Sequence, residues 1–126
     1  MDNNENKKGL LRQLTYAFAV RIVNMVRYLQ DDMKEFVLSK QVLRSGTAIG
    51  ALVREAQYAQ SESDFVNKLS IALKETNETD YWLNLLHDTK YIDDAACFSM
   101  HEDCGHIMAV LTASINTVKK RLNPKR

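Results

Sequence analysis

The stretch LLRQLTYAFAVRIVNMVRYLQ, residues 10–30, decides the fold. Within it Leu11, Leu14, Phe18, Ile22, Met25 and Leu29 recur at steps of three and four. On a helical wheel they fall within about 40° of one line, so the spacing predicts a first helix over about 8–31. The polar run Gln30–Glu35 breaks the pattern before a second stripe, Val42, Ser45, Ile49, Leu52, Ala56 and Ala59, which predicts a helix over about 38–60. Ser61 followed three residues later by Asp64 resembles a capping box, with Asp in place of the usual Glu. It introduces Phe65, Leu69, Ala72, Thr76, Thr79, Leu83 and Leu86, a third helix over about 62–88. Asp93 or Asp94 can cap a fourth helix, about 95–122, whose line is Cys97, His101, Cys104, Met108, Leu111, Ile115, Val118 and Leu122, stopped by Asn123 and Pro124.

Four helices of about 25 residues, each near 37 Å and joined by short loops, have one economical arrangement: an all-α, antiparallel up-down four-helix bundle. Composition agrees. The 126 residues suffice for one domain with its own core, and four glycines and one proline leave little material for turns. Apolar residues at 45% and charged residues at 26% exclude disordered and disulfide-dense classes. The polar start, Met1–Lys8, lacks the apolar core of a secretory signal, and no run reaches the roughly 18 apolar residues of a membrane span. A cytoplasmic protein with no membrane contact is expected. Cys97 and Cys104 lie seven apart, about 10 Å of helical rise, too far for an intrachain disulfide.

Two features exceed what a lone bundle requires. Gly46 and Gly50, among Ser45, Thr47, Ala48 and Ala51, cost helix two about 1 kcal/mol each relative to Ala. They form a shallow strip that serves either tight packing within the bundle or a contact between subunits. On helix one, Tyr16, Val20 and Val23 point about 140–200° away from Phe18, giving a second apolar face bordered by Arg12 and Arg27. An apolar centre with a polar rim predicts an oligomer interface at Tyr16, Val20, Val23 and Arg27.

The segments AFAVRIV (17–23), EFVLSKQVLRSGTAIGALVREA (35–56) and DFVNKLSIALKETNETDYWLNLL (64–86) resemble the bacterial four-helix bundle proteins known as 23S ribosomal RNA intervening-sequence proteins. The likeness runs over about 10–122, specific in the second and third segments and looser in the fourth. It implies a homopentamer, a ring-like assembly of bundles around a channel. It further implies a relation to the accessory variability determinant protein of diversity-generating retroelements, which binds nucleic acid and a reverse transcriptase. Where the family commonly carries a serine and an asparagine in helix two, this chain has Ala48 and Leu52, so any hydrogen bond from those side chains is absent. Leu52 is expected in the core.

Catalytic chemistry finds little material. Cys97, His101 and Cys104 share one helical line, but three ligands along one helix cannot close a zinc tetrahedron, and His106 is rotated about 140° from His101. A dimetal bundle needs paired Glu-x-x-His motifs, and the chain offers only Asp103-x-x-His106. Glu75, Glu78 and Asp80, beside Lys74 and Asn77, read as a solvated face. No nucleophile arrangement or phosphate loop is present, so neither an enzyme nor a cofactor is expected.

Charge carries more information. The net charge is only +1, yet residues 7–34 hold six basic and two acidic groups, whereas 62–94 hold three basic and eight acidic. An up-down bundle brings the start of helix one and the end of helix four together. Lys7, Lys8, Arg12, Lys119, Lys120, Arg121, Lys125 and Arg126 should therefore share one end. Repeated around a ring, that cluster is a candidate phosphate-binding annulus acting by counterion release, with RNA or DNA as partner and no sequence-specific readout. The competing expectation is a protein-interaction scaffold that docks a partner through the acidic third helix or the back of helix one.

Overall fold

The computed structural model describes residues 3–123, which form four α-helices and no strand: α1 Asn3–Asp31, α2 Leu38–Gln57, α3 Glu62–Asp88 and α4 Asp94–Leu122. Each helix packs on the next in the chain, and α4 returns to meet α1 over a smaller face, the neighbour order of an up-down bundle. Side-chain contacts give the direction. Gln57 at the end of α2 donates to the Lys8 carbonyl near the start of α1 (3.2 Å), and Arg121 at the end of α4 reaches Glu62 at the start of α3 (3.8 Å). No helix among the described residues is long and apolar enough to cross a membrane.

The core runs along the bundle axis through Phe18, Ile22, Leu29, Val42, Ile49, Leu69, Leu83, Leu86, Met100, Ile107 and Leu111, all essentially inaccessible. Each such side chain contributes about 1.5–3 kcal/mol relative to exposure. The third-helix stripe is buried from Leu69 to Leu86, threonines included. Thr76 donates to the Ala72 carbonyl (2.8 Å), and the hydroxyls of Thr79 and Ser45 hydrogen-bond at 2.9 Å, so polar groups enter the α2–α3 seam already satisfied. Gly46 is the tightest point between α1 and α2. A Cβ there would lie 2.7 Å from Ile22 Cγ1, and at Gly50 it would lie 3.3 Å from the Thr15 carbonyl oxygen. Both glycines therefore serve packing within the bundle.

Several expectations need correction. Helix one starts at Asn3 rather than about 8, and in it Thr15 and Val26 are buried while Leu14 and Met25 are only half-buried. Helix two stops at Gln57 rather than 60, because Tyr58 and Ala59 bond back three residues to Glu55 and Ala56, and Ser61 must be extended to cap α3. Leu52 is only half-buried, with Val53 in the core instead. Phe65 is also half-buried, lying under the Lys8 ammonium, which is 5.7 Å from its ring centre. In α4 the inward line is Met100, Cys104, Ile107, Leu111, Ser114, Ile115 and Val118. His101 and Leu122 are exposed, and Cys97 and Met108 lie at the border. The rotation buries Met100 and Ile107, more apolar than Cys97 and His101, and leaves His101 at the surface, where its Nδ1 lies 2.7 Å from the Asp80 carboxylate on α3.

Helix starts confirm some sequence signals and add one. Ser61 Oγ accepts from the Asp64 N–H (3.0 Å), and Asp93, rather than Asp94, accepts from the Ala96 N–H (2.8 Å). The residue preceding α2, Val37, has no capping side chain. The buried Glu35 carboxylate replaces it, accepting from the backbone N–H groups of Val37 (3.2 Å), Leu38 (3.0 Å) and Ser39 (2.7 Å). Burial works to raise the Glu35 pKa, but the hydrogen bonds from Leu38, Ser39 and Val37 outweigh it and hold the group below its ordinary value.

Candidate nucleic-acid interface

The up-down path gathers the starts of α1 and α3 and the ends of α2 and α4 at one end. Lys119, Lys120 and Arg121 form the last turn of α4, where cations also complement the helix dipole. Lys8 and Arg12 lie on the first turns of α1 and are exposed, as are the three α4 residues. Lys125 and Arg126, and the Lys7 side chain, lie outside the described residues. The end is not purely basic. Glu62, in the first turn of α3, takes Arg121 as its partner. Lys8 covers the Phe65 ring. Among the described residues, Arg12, Lys119 and Lys120 enter no ion pair.

One cation at this end was not read from the sequence. Arg54, in the last turn of α2, lines a groove of about 460 Å³ between α1 and α2 together with Arg12 and Tyr16. Thr15, Ala19, Thr47, Gly50 and Ala51 form its floor and sides, and Glu55 stands at its edge. The position of Arg54 three residues before the end of α2 is a usable signal, since antiparallel pairing brings that turn to the start of α1.

The predicted oligomer interface is unpartnered in the single chain. Tyr16 is 63% and Val20 45% exposed, Arg27 is exposed, and Val23 is half-buried. Exposed apolar side chains also occur elsewhere, at Phe36, Val37, Tyr58, Tyr81 and Phe98.

The groups weighed for chemistry are dispersed into structural pairs. Glu75 and Glu78 both bind Arg44 of α2, and Trp82 Nε1 donates to Glu78 (3.2 Å), so these carboxylates form an interhelix network rather than a purely solvated face. Asp80 holds His101. Cys104 is buried and its thiol is pushed up to about 12 by burial, while burial and then Asp80 raise Cys97. Both thiols therefore stay protonated at neutral pH, the wrong state for a ligand or nucleophile. The described residues contain no group of three His, Cys, Asp or Glu side chains able to hold a metal ion.

At the opposite end, a cleft of about 1110 Å³ opens between α1 and the α3–α4 loop, lined by Met25, Tyr28, Tyr91, Ile92, His87 and Asp94 among others. His87 lies between Asp94 (2.6 Å) and Asp88 (3.1 Å) and ties the loop together. Those hydrogen bonds, to Asp94 first and then Asp88, raise its pKa above 6.5.

The sequence pattern that defines the 23S rRNA-intervening sequence proteins matches residues 7–113. The chain belongs to this family. The match contains all three segments that carried the resemblance and ends within α4, so the basic last turn lies beyond it. A crystal structure at 1.70 Å of a protein with unknown function from the S23 ribosomal protein family of Bacteroides thetaiotaomicron VPI-5482 is similar, with 51% identity and a TM-score of 0.86. The superposition covers 87% of this chain and 98% of that one. No curated protein matches the chain.

Proposed function

We propose that this intervening-sequence family protein is a non-enzymatic, cytoplasmic homo-oligomer whose basic end holds the phosphates of nucleic acid. The observation that carries the reading is the gathering of Lys8, Arg12, Lys119, Lys120 and Arg121 at one end, with Arg12, Lys119 and Lys120 in no ion pair among the described residues. Cations left without carboxylate partners release condensed counterions when a polyanion docks, and assembly multiplies the effect. The exposed back of α1 supports self-association through Val20 and Val23, and the family resemblance implies five subunits.

Light scattering should give several times 14.4 kDa. Val20→Glu with Val23→Glu should dissociate the assembly while helicity survives, because a charge buried without a partner is costly. Gel shifts with single- and double-stranded RNA and DNA should show sequence-tolerant binding that weakens steeply towards physiological salt. A concentration-independent monomer removes the assembly, and absence of binding at low salt removes the nucleic-acid role. The second reading, a scaffold that docks a protein partner such as a reverse transcriptase through the acidic third helix or the back of helix one, draws on the exposed Tyr16 and Val20 of that back face.

A further inference from the structure

The groove between α1 and α2 is a different kind of surface from the basic end beside it. Its floor is low because Gly50 has no side chain and lies against the Thr15 backbone, and because Ala19 and Ala51 are short. Thr47 turns its hydroxyl back to the Leu43 carbonyl (2.7 Å), which leaves its methyl group for contact. Tyr16 rises from this floor with 63% of its surface exposed, and two guanidiniums, Arg12 and Arg54, share the groove with it. Neither arginine enters an ion pair among the described residues, although Glu55 also lines the groove. A planar ring beside an apolar recess, flanked by cations, is the chemistry of a stacking platform on a phosphate track.

We propose that the α1–α2 groove seats a base of single-stranded nucleic acid against Tyr16, with Arg12 and Arg54 holding the adjoining phosphates. The inference rests on the nucleic-acid reading above, narrows it to single strands, and takes Tyr16 out of the subunit contact expected for it, leaving that contact to Val20, Val23 and Arg27. In a duplex the base faces are covered by their neighbours, and a recess between two helices reaches only the phosphates. An acidic peptide would meet the Glu55 carboxylate and brings no ring to stack on Tyr16, whereas a nucleotide strand can carry its phosphates past the arginines and turn a neutral base inward.

The test uses the full-length protein and a labelled ten-nucleotide oligouridylate, followed by fluorescence anisotropy at low and physiological salt. A twenty-base-pair duplex and a hexaglutamate competitor serve as comparisons. Tyr16→Ala should weaken oligouridylate binding by about fivefold or more at both salt concentrations and leave the salt slope unchanged, because stacking is not electrostatic. Tyr16→Phe should retain binding. Arg12→Gln with Arg54→Gln should reduce the slope of log affinity against log salt by about 1.4, at roughly 0.7 per phosphate on a single strand. Duplex binding should be indifferent to Tyr16→Ala, and hexaglutamate should compete poorly.

If Tyr16→Ala binds like the wild type while neutralising Lys119, Lys120 and Arg121 weakens binding, the groove is excluded and the basic end stands. If the wild type binds no oligonucleotide, both fall. A Tyr16→Ala protein that changes oligomeric state makes Tyr16 a subunit contact and overturns the groove assignment, as does hexaglutamate displacing the oligonucleotide efficiently.

Discussion

The two ends of the bundle use their polar residues differently. At the far end, where α1 turns into α2 and α3 into α4, polar groups are spent on closing the chain. Glu35 caps α2, Asp93 caps α4, and His87 bridges Asp88 and Asp94. Lys34 and Lys90, the non-glycine residues with positive φ among the described residues, also lie there. At the near end Gln57, Ser61 and Glu62 secure the chain, while Arg12, Lys119 and Lys120 are left out of any ion pair among the described residues. Charge engaged in folding is not available to a ligand. The near end is therefore the one whose removal should cost function and spare stability, and the far end the reverse.

The largest expected effect is at Glu35. Glu35→Ala leaves three backbone donors at the start of α2 without their acceptor and should destabilise the fold by about 1–2 kcal/mol in a denaturant titration. The pH dependence has a definite sign. Because the folded-state pKa lies below the ordinary 4.5, the contribution is present above 4.5 and is lost as pH falls through the folded value. Acid titration of wild type and Glu35→Ala should therefore converge below that range; parallel curves would mean that the carboxylate is not the cap.

Next in size is Lys90. With φ at 70° it occupies the left-handed position after α3, where Tyr91 bonds back to the Leu86 carbonyl (2.9 Å). Lys90→Gly should stabilise the protein by about 0.5–1 kcal/mol, since glycine adopts this conformation without steric cost. A loss on substitution would show that the lysine side chain contributes more than its backbone costs.

His87 titrates in the opposite direction to Glu35. Its pKa is raised in the folded state, so its contribution is complete below 6.5 and fades as pH rises through the folded value. His87→Gln should flatten thermal stability across that interval. At the near end, Lys119→Gln, Lys120→Gln and Arg121→Gln together should shift stability by less than about 1 kcal/mol, because exposed charges at a helix end contribute only tenths each. A larger loss would mean that the basic turn is structural after all.

Much of this asymmetry was legible in the sequence, and the exceptions have physical causes. The third helix was readable although Thr76 and Thr79 sit in its core, because a threonine can return its hydroxyl to its own helix and the spacing alone carried the signal. In the fourth, two lines share Cys104, Leu111, Ile115 and Val118. Spacing alone fits both Cys97–His101 and Met100–Ile107, and the choice goes to the pair that buries more apolar surface, Met100 and Ile107. Topology sufficed to expect Lys8 and Arg12 at the same end of the bundle as Lys119–Arg121. The Arg121–Glu62 pair and the groove shared by Arg12, Tyr16 and Arg54 depend on the axial register between helices, which no single-helix pattern specifies. Glu35 was missed because it caps from the loop, through its side chain, at positions two to four residues ahead.

The most direct test of the near end as a phosphate-binding surface is the salt dependence of oligouridylate binding by the wild type and by Lys119→Gln/Lys120→Gln/Arg121→Gln. The account predicts a linear fall of log affinity with log salt for the wild type, and a slope shallower by about 2 in the triple variant with the oligomer intact. Binding absent at low salt, or a slope that the triple variant does not change, would contradict it.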